Sequence, residues 1–257
     1  MKGRMVGTVK GMLSWLWRWR ISVVAAAVVL AVVAFGAILV FSGPPARKTP
    51  SASLAAGGRT HATLEVVSGT PVLRIGVARL GGTLLRAFVP HDAAVRPVLS
   101  AASGSAPVRL SLVPAGGARR GADDPVTVQL NSDVAWQLDF AAGTQTTVAD
   151  LRGARVGGIT FGAGSAILDV TMPAPSGTVV ITLAGGASQF RLALPRGVPA
   201  RITAGGGLAQ VTMDSLIRTG VAGGTVITPP GWATATSRFD IDATAGVDRI
   251  AVSRWRG

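Results

Sequence analysis

The stretch from Leu138 to Met213 constrains this chain most, because it writes one unit four times. The units are Leu138-Asp139-Phe140-Ala141-Ala142-Gly143, Ile159-Thr160-Phe161-Gly162-Ala163-Gly164, Ile181-Thr182-Leu183-Ala184-Gly185-Gly186 and Ile202-Thr203-Ala204-Gly205. Each glycine end is followed by a second alternating run. A period of about 20 residues is too short for a domain and fits one coil of a β-solenoid. Aligned by their glycines, the first strands give an apolar column Leu138, Ile159, Ile181, Ile202 and a polar column Asp139, Thr160, Thr182, Thr203. A further inward column is Phe140, Phe161, Leu183, Ala204. The second strands give Thr147, Leu168, Phe190, Ala209, then Ala149, Val170, Leu192, Val211, then Leu151, Met172, Leu194, Met213. Side chains alternate across a strand, so the apolar columns are expected inside and the polar ones outside. The glycines mark corners where the chain turns.

The signal extends in both directions. Short strands start at His61, with Thr63–Val67 and Val72–Val77, and Thr83–Val89 and Val108–Val113 each end in proline. Ala115–Asp124 reads as a loop. Ile241-Asp242-Ala243-Thr244-Ala245-Gly246 matches the first unit, and Ile250 and Val252 continue its inward parity, so the stack is expected to run to the C-terminus. Gly220–Gly224 and Pro229-Pro230-Gly231-Trp232 belong to a less regular coil, as stack ends need caps. Gly interrupts nearly every window after residue 41, and no amphipathic helix pattern occurs there.

The N-terminus is of another kind. Residues 1–20 carry Lys2, Arg4, Lys10, Arg18 and Arg20 and no acid, with Trp15, Trp17 and Trp19 before an apolar run. That run, 21–41, has Ser22 as its one polar side chain; as a helix it spans about 31 Å, the thickness of a bilayer's hydrocarbon. Five charges before it and Arg47 and Lys48 after it predict a single transmembrane signal anchor, N-terminus cytoplasmic and C-terminal domain extracytoplasmic. Trp15, Trp17, Trp19, Arg18 and Arg20 are its expected membrane-interface residues. The run is longer than a cleavable signal's, and Phe41-Ser42-Gly43 makes a poor cleavage site. Residues 42–60, with Pro44, Pro45 and Pro50, read as a flexible linker. The expected organisation is therefore 1–20 cytoplasmic, 21–41 membrane, 42–60 linker and 61–257 an all-β, stacked-coil, β-solenoid-like domain, its clearest repeats at 138–213.

Chemistry is sparse in this sequence. It has no Cys, which excludes disulfides and thiolate metal sites, and only His61 and His91 for imidazole ligation. Asp169, Arg191 and Gln210 share a polar column, read as a cross-coil ion pair. Asp240, Asp242 and Asp248 match no calcium loop, and Asp240 and Asp242 flank the inward Ile241. His91 sits in a turn beside Asp92 with no nucleophile at a defined relation. Leu80-Gly81-Gly82-Thr83 and Ala204-Gly205-Gly206-Gly207 lack the Lys-Ser/Thr of a phosphate loop. No matched carboxylate pair is evident, so an enzyme, a cofactor site and a metal site are not expected. The formal charge is +13, but from His61 onward 17 Lys and Arg meet 12 acids, a net of +5. These bases are spread singly without an aromatic stripe, which argues against nucleic acid and for a membrane or an anionic wall polymer.

A tryptophan entering the first coil (Trp136-Gln137-Leu138-Asp139) precedes successive Gly-Ala or Gly-Gly corners. Leu194-Pro195 with Gly197-Val198 follows, and then a closing Phe239-Asp240-Ile241-Asp242 with Gly246-Val247. Over roughly Val126–Val252 this pattern resembles the toastrack-type β domain of Lia-type cell-wall antibiotic response proteins. The resemblance implies a non-enzymatic, membrane-anchored envelope protein with an accessory or scaffold role in envelope-stress sensing, whose partner is an envelope or signalling membrane protein. The bundle of several membrane helices of the best-known members is missing, since one span is read here. The alternative is an adhesin-like or cell-wall-polymer-binding module.

Overall fold

The computed structural model describes residues 51–102, 104–116 and 124–256. The segments 1–20 and 21–41, with Trp15, Trp17, Arg18, Trp19 and Arg20, lie outside the described residues. Thr49–Gly257 forms one compact unit. It is all-β. No α-helix occurs among the described residues, and so none is long and apolar enough to cross a membrane.

The strands are β1 (Ser51–Ala55), β2 (His61–Val66), β3 (Thr70–Ala78), β4 (Thr83–Phe88), β5 (Val95–Ala101), β6 (Val108–Pro114) and β7 (Pro125–Asn131). The repeat supplies β8 (Ala135–Phe140), β9 (Thr144–Asp150), β10 (Arg155–Phe161), β11 (Ser165–Thr171), β12 (Thr178–Leu183), β13 (Ala187–Pro195), β14 (Ala200–Ala204) and β15 (Leu208–Met213). The chain ends with β16 (Leu216–Val221), β17 (Thr225–Ile227), β18 (Arg238–Ala243) and β19 (Val247–Trp255). They form two sheets: a ten-stranded sheet A, β1-β4-β7-β3-β9-β11-β13-β19-β15-β16, and a nine-stranded sheet B, β17-β14-β18-β12-β10-β8-β2-β6-β5.

Each coil places its first strand in sheet B and its second in sheet A, with equivalent strands parallel. The order through the stack is β6/β7, β2/β3, β8/β9, β10/β11, β12/β13, β18/β19, β14/β15. Only the middle of that order follows the sequence. The last coil, expected at the end, is slotted between β12/β13 and β14/β15. Antiparallel strands finish both ends: β4, β5 and β1 at one, β16 and β17 at the other. Residues 61–125 thus belong to the same stack as the repeat.

The core lies between the sheets. In sheet B one inward column reads Val108, Leu64, Leu138, Ile159, Ile181, Ile241, Ile202, each at most 1% exposed. In sheet A the matching column is Val126, Leu73, Thr147, Leu168, Phe190, Ile250, Val211. Here the fourth repeat departs from the expected alignment by two residues. Val211, not Ala209, continues the Phe190 column, because Leu208 turns inward at the strand's start and leaves Ala209 exposed. Phe140 and Phe161 stack at 4.7 Å and Phe190 meets Phe161 edge-on at 6.2 Å. The one polar member, Thr147, is satisfied by a 2.7 Å hydrogen bond with Thr144.

The corner glycines have a different reason from the one expected. Gly143, Gly164, Gly185, Gly186 and Gly246 are not among the residues with positive φ. The corners instead stack directly on one another. A Cβ at Gly143 would lie 2.6 Å from the Gly164 carbonyl oxygen, and one at Gly185 only 2.1 Å from the Ala163 carbonyl carbon. Close approach of backbone to backbone excludes a side chain at Gly143 and Gly185, while Gly164 and Gly246 have room for one. The linker reading is also shortened from its C-terminal side. Ser51–Ala55, inside the 42–60 stretch, pairs as β1 with β4, since Leu54 meets Leu85 in register and packs against the core.

The excursion that carries the chain to the slotted coil is pinned by Trp232. Its indole N–H donates to the Phe239 carbonyl at 2.8 Å, and the guanidiniums of Arg201 and Arg238 lie 3.9 and 4.3 Å from its ring. Such contacts add cation–π attraction to the burial of the ring. Trp136 and Trp255 also donate indole N–H bonds, to the carbonyls of Asn131 and Met172, each between coils that have one other coil between them.

Candidate functional site

Strand parity leaves two broad outer faces, and they differ in chemistry. Sheet B presents Glu65, Asp139, Thr160, Thr182, Asp242 and Thr203 in one lateral row. Four of its five arginines are committed, the exposed Arg96 on β5 being the exception. Arg109 donates to Glu65 at 2.8 Å and Arg201 forks onto Asp240. Arg155 and Arg238 bond carbonyls of Asp133, Trp232 and Ala233. Asp139 sits beside Glu65 on the next strand. Partial burial first, and the Glu65 charge second, push its carboxyl above the usual carboxylate range.

Sheet A presents Arg86, Arg74, Arg191 and Arg249, all exposed. From β4 to β19 they spread over about 29 Å at about 4.8 Å per strand. Arg191 donates to Gln189 at 2.7 Å and Arg249 to Gln210 at 3.0 Å. Among the described residues none of the four forms an ion pair with a carboxylate. Asp150, on the same sheet, is neutralised instead by Arg152, whose hydrogen bonds hold that carboxyl below its ordinary range.

The residues singled out in the sequence are distributed as follows. Asp169 and Arg191 are in register on β11 and β13, but the expected ion pair is not made. Arg191 turns to Gln189, and the next position in its row is Ala251 rather than Gln210, because β19 intervenes. Asp240 and Asp242 project from sheet B while Asp248 is on sheet A, so the three do not converge. Among the described residues no group of three His, Asp or Glu is placed to hold a metal. His91 lies exposed in the loop between β4 and β5, and His61 bonds Thr60 at the start of β2. Gly81-Gly82 is the β3–β4 turn and Gly205–Gly207 a corner of the stack.

The arginine face was missed because its members are scattered in sequence. The signal that could have found it was present: each of Arg74, Arg86 and Arg191 lies between two inward apolar residues on a strand. Laying those strands side by side, in the right order, brings them onto one face.

No family model matches the chain, and no curated protein matches it. Among solved structures, the fold resembles that of a candidate cell adhesion protein from Clostridium sporogenes ATCC 15579. The TM-score is 0.61 at 17% identity, over 81% of this chain and 99% of that one. A candidate adhesin from Bacteroides fragilis NCTC 9343 also matches, over 81% and 98% of the two chains, with a TM-score of 0.22 and 9% identity. The first likeness establishes a shared all-β fold.

Proposed function

We propose that the β unit is a non-enzymatic, adhesin-like surface-binding module whose sheet A face holds an anionic wall polymer. The observation that carries this reading is the set of Arg86, Arg74, Arg191 and Arg249 on one face, exposed and without ion-pair partners among the described residues; Arg74 and Arg191 share a lateral row, and Arg86 and Arg249 stand two residues to either side of it. Guanidiniums match phosphate and carboxylate oxygens by paired hydrogen bonds, and a set spread over about 29 Å suits a polymer better than a small anion. The structural neighbour from Clostridium sporogenes, a candidate cell adhesion protein, agrees in kind.

The test is retention on a purified polyol-phosphate wall polymer. Replacing all four arginines by Gln is expected to abolish retention and most of its salt dependence, while Glu65→Gln with Asp242→Asn leaves it unchanged. Equal loss from both sets of substitutions would refute a sheet A site.

The N-terminal sequence favours a second role for the same module. A basic, tryptophan-containing segment before a 21–41 apolar run would display it outside the membrane, and the toastrack-type resemblance points to accessory work in envelope-stress sensing. In-cell crosslinking that recovers no envelope or signalling membrane protein above background would remove that role.

A further inference from the structure

The C-terminal end of the stack stops differently from the other. The two most exposed large apolar side chains of the described residues are both there: Ile217 on β16 at 64% and Val226 on β17 at 52%, one on the outer face of each sheet. Among the described residues β16 pairs only with β15 and β17 only with β14. Each therefore keeps one edge of N–H and C=O groups without a strand partner, a template for a further strand. Between them opens a cavity of about 530 Å³, with Met213, Leu216, Ile227, Pro229 and Arg218 in its wall.

Arg218 is the unusual member. It stands in register with Val211, which is fully buried, so parity puts its side chain on the core side of β16, where it lines the mouth of the cavity and is itself exposed. An inward charge on an edge strand discourages indiscriminate edge pairing. It also discriminates between occupants. A second copy, meeting this end about a twofold axis normal to the sheets, would continue both sheets but bring two Arg218 guanidiniums into one mouth. A strand with a carboxylate at that position meets the opposite situation. Its backbone continues sheet A, its apolar side chains cover Ile217, and the carboxylate takes a charge-assisted pair of hydrogen bonds from Arg218.

We propose that this end docks an extended segment of a partner protein, with Glu or Asp facing Arg218 at the mouth of the cavity and apolar residues at flanking positions. The site is separate from the four sheet A arginines and does not depend on them.

The test uses isotope-labelled full-length chain in mild detergent and synthetic peptides of about ten residues that alternate Thr and Val. Glu, Gln or Lys occupies the central position. The Glu peptide is expected to shift the β16 amides, Leu216–Val221, and to bind at least about tenfold more tightly than the Gln peptide, as a desolvated charged hydrogen bond gives. Arg218→Glu should reverse the preference toward the Lys peptide, and Ile217→Lys should weaken both. Equal binding of Glu and Lys peptides, no binding, or shifts confined to residues outside β16 and β17 would overturn the proposal. So would sedimentation showing a dimer that Ile217→Lys dissolves, since the occupant would then be a second copy.

Discussion

Coils β10/β11 and β18/β19 offer the core nearly the same side chains: Ile159 and Phe161 with Leu168 and Val170 in one, Phe239 and Ile241 with Ile250 and Val252 in the other. They reach their places by opposite routes. The neighbours of β10/β11 in space are its neighbours in sequence. Those of β18/β19 are β12/β13 and β14/β15, so that Ile241 pairs in register with both Ile181 and Ile202. A consecutive solenoid is held by local contacts, and its end repeats open at little cost. Here the C-terminal coil is bonded on both sides and works as a wedge. Everything beyond it, β14 to β17, joins the stack through it. The same repeat chemistry therefore gives a peelable coil in one setting and a closing element in the other.

The harshest way to break this comparison is to cut the chain before Ser237. Burial of Phe239, Ile241, Ile250 and Val252, at about 1.5–3 kcal/mol each, is on the order of 6–12 kcal/mol, comparable with the whole stability of a domain. The truncated chain is expected to lose its cooperative thermal transition in circular dichroism and to be cleaved by protease throughout Ala200–Ile227. The informative alternative is a shorter stack that still melts cooperatively. Ile202 and Thr203 match Ile181 and Thr182 well enough for β14/β15 to dock directly on β12/β13, as the bare repeat implies. That result would make the wedge dispensable.

Corner glycines test the same contrast more gently. Gly185 belongs to a consecutive contact, where a Cβ would lie 2.1 Å from the Ala163 carbonyl carbon; Gly206 abuts the slotted coil, at 2.5 Å from the Ala245 carbonyl carbon. Alanine at either is expected to cost about 1–3 kcal/mol in urea unfolding, the range for forced overpacking. Gly164, whose Cβ would stand 3.6 Å from the nearest atom, serves as control and should change stability by less than about 0.5 kcal/mol. A Gly206 effect as small as the control's, beside a full Gly185 effect, would show that β14/β15 does not press on β18/β19 in solution.

Inward parity, glycine corners and the all-β class were readable because they are local: alternation and a 20-residue period need no knowledge of neighbours. The order of the coils was not. Ile181, Ile202 and Ile241 are interchangeable by pattern, and only the long excursion pinned by Trp232 and the two arginines on its ring decides which stacks on which. The loss of Gln210 from the Asp169–Arg191 column follows from that ambiguity, whereas the two-residue slip at Val211 comes from Leu208 turning inward at the start of β15. The sheet A arginines were likewise visible singly. They share a face only after strands as distant in sequence as β4 and β19 are set in one sheet.

The smallest expected effect separates the two kinds of coil by pH. Arg254 on the slotted β19 forks onto Asp214 in the β15–β16 turn at 2.8 and 2.9 Å, and these hydrogen bonds hold the Asp214 carboxyl below its usual range. Its contribution is fully present above the unfolded value near 3.9 and is lost as pH falls through the folded one. On the consecutive side, Asp139 is pushed up by burial and by Glu65. Its neutral form is the favoured one, so stability is fully present below the unfolded value and declines as pH rises through the folded one. Asp214→Asn should therefore destabilise at pH 7 and Asp139→Asn should stabilise, each by less than about 1 kcal/mol for such solvent-screened groups. Both differences should close on acidification toward about pH 3. Asparagine is the right probe at Asp214, whose φ of 54° it tolerates better than other residues, so charge is removed without a backbone penalty. If Asp214→Asn is neutral across that range, the pair that joins the slotted coil to the outer hairpin adds nothing, and apolar stacking alone holds the wedge.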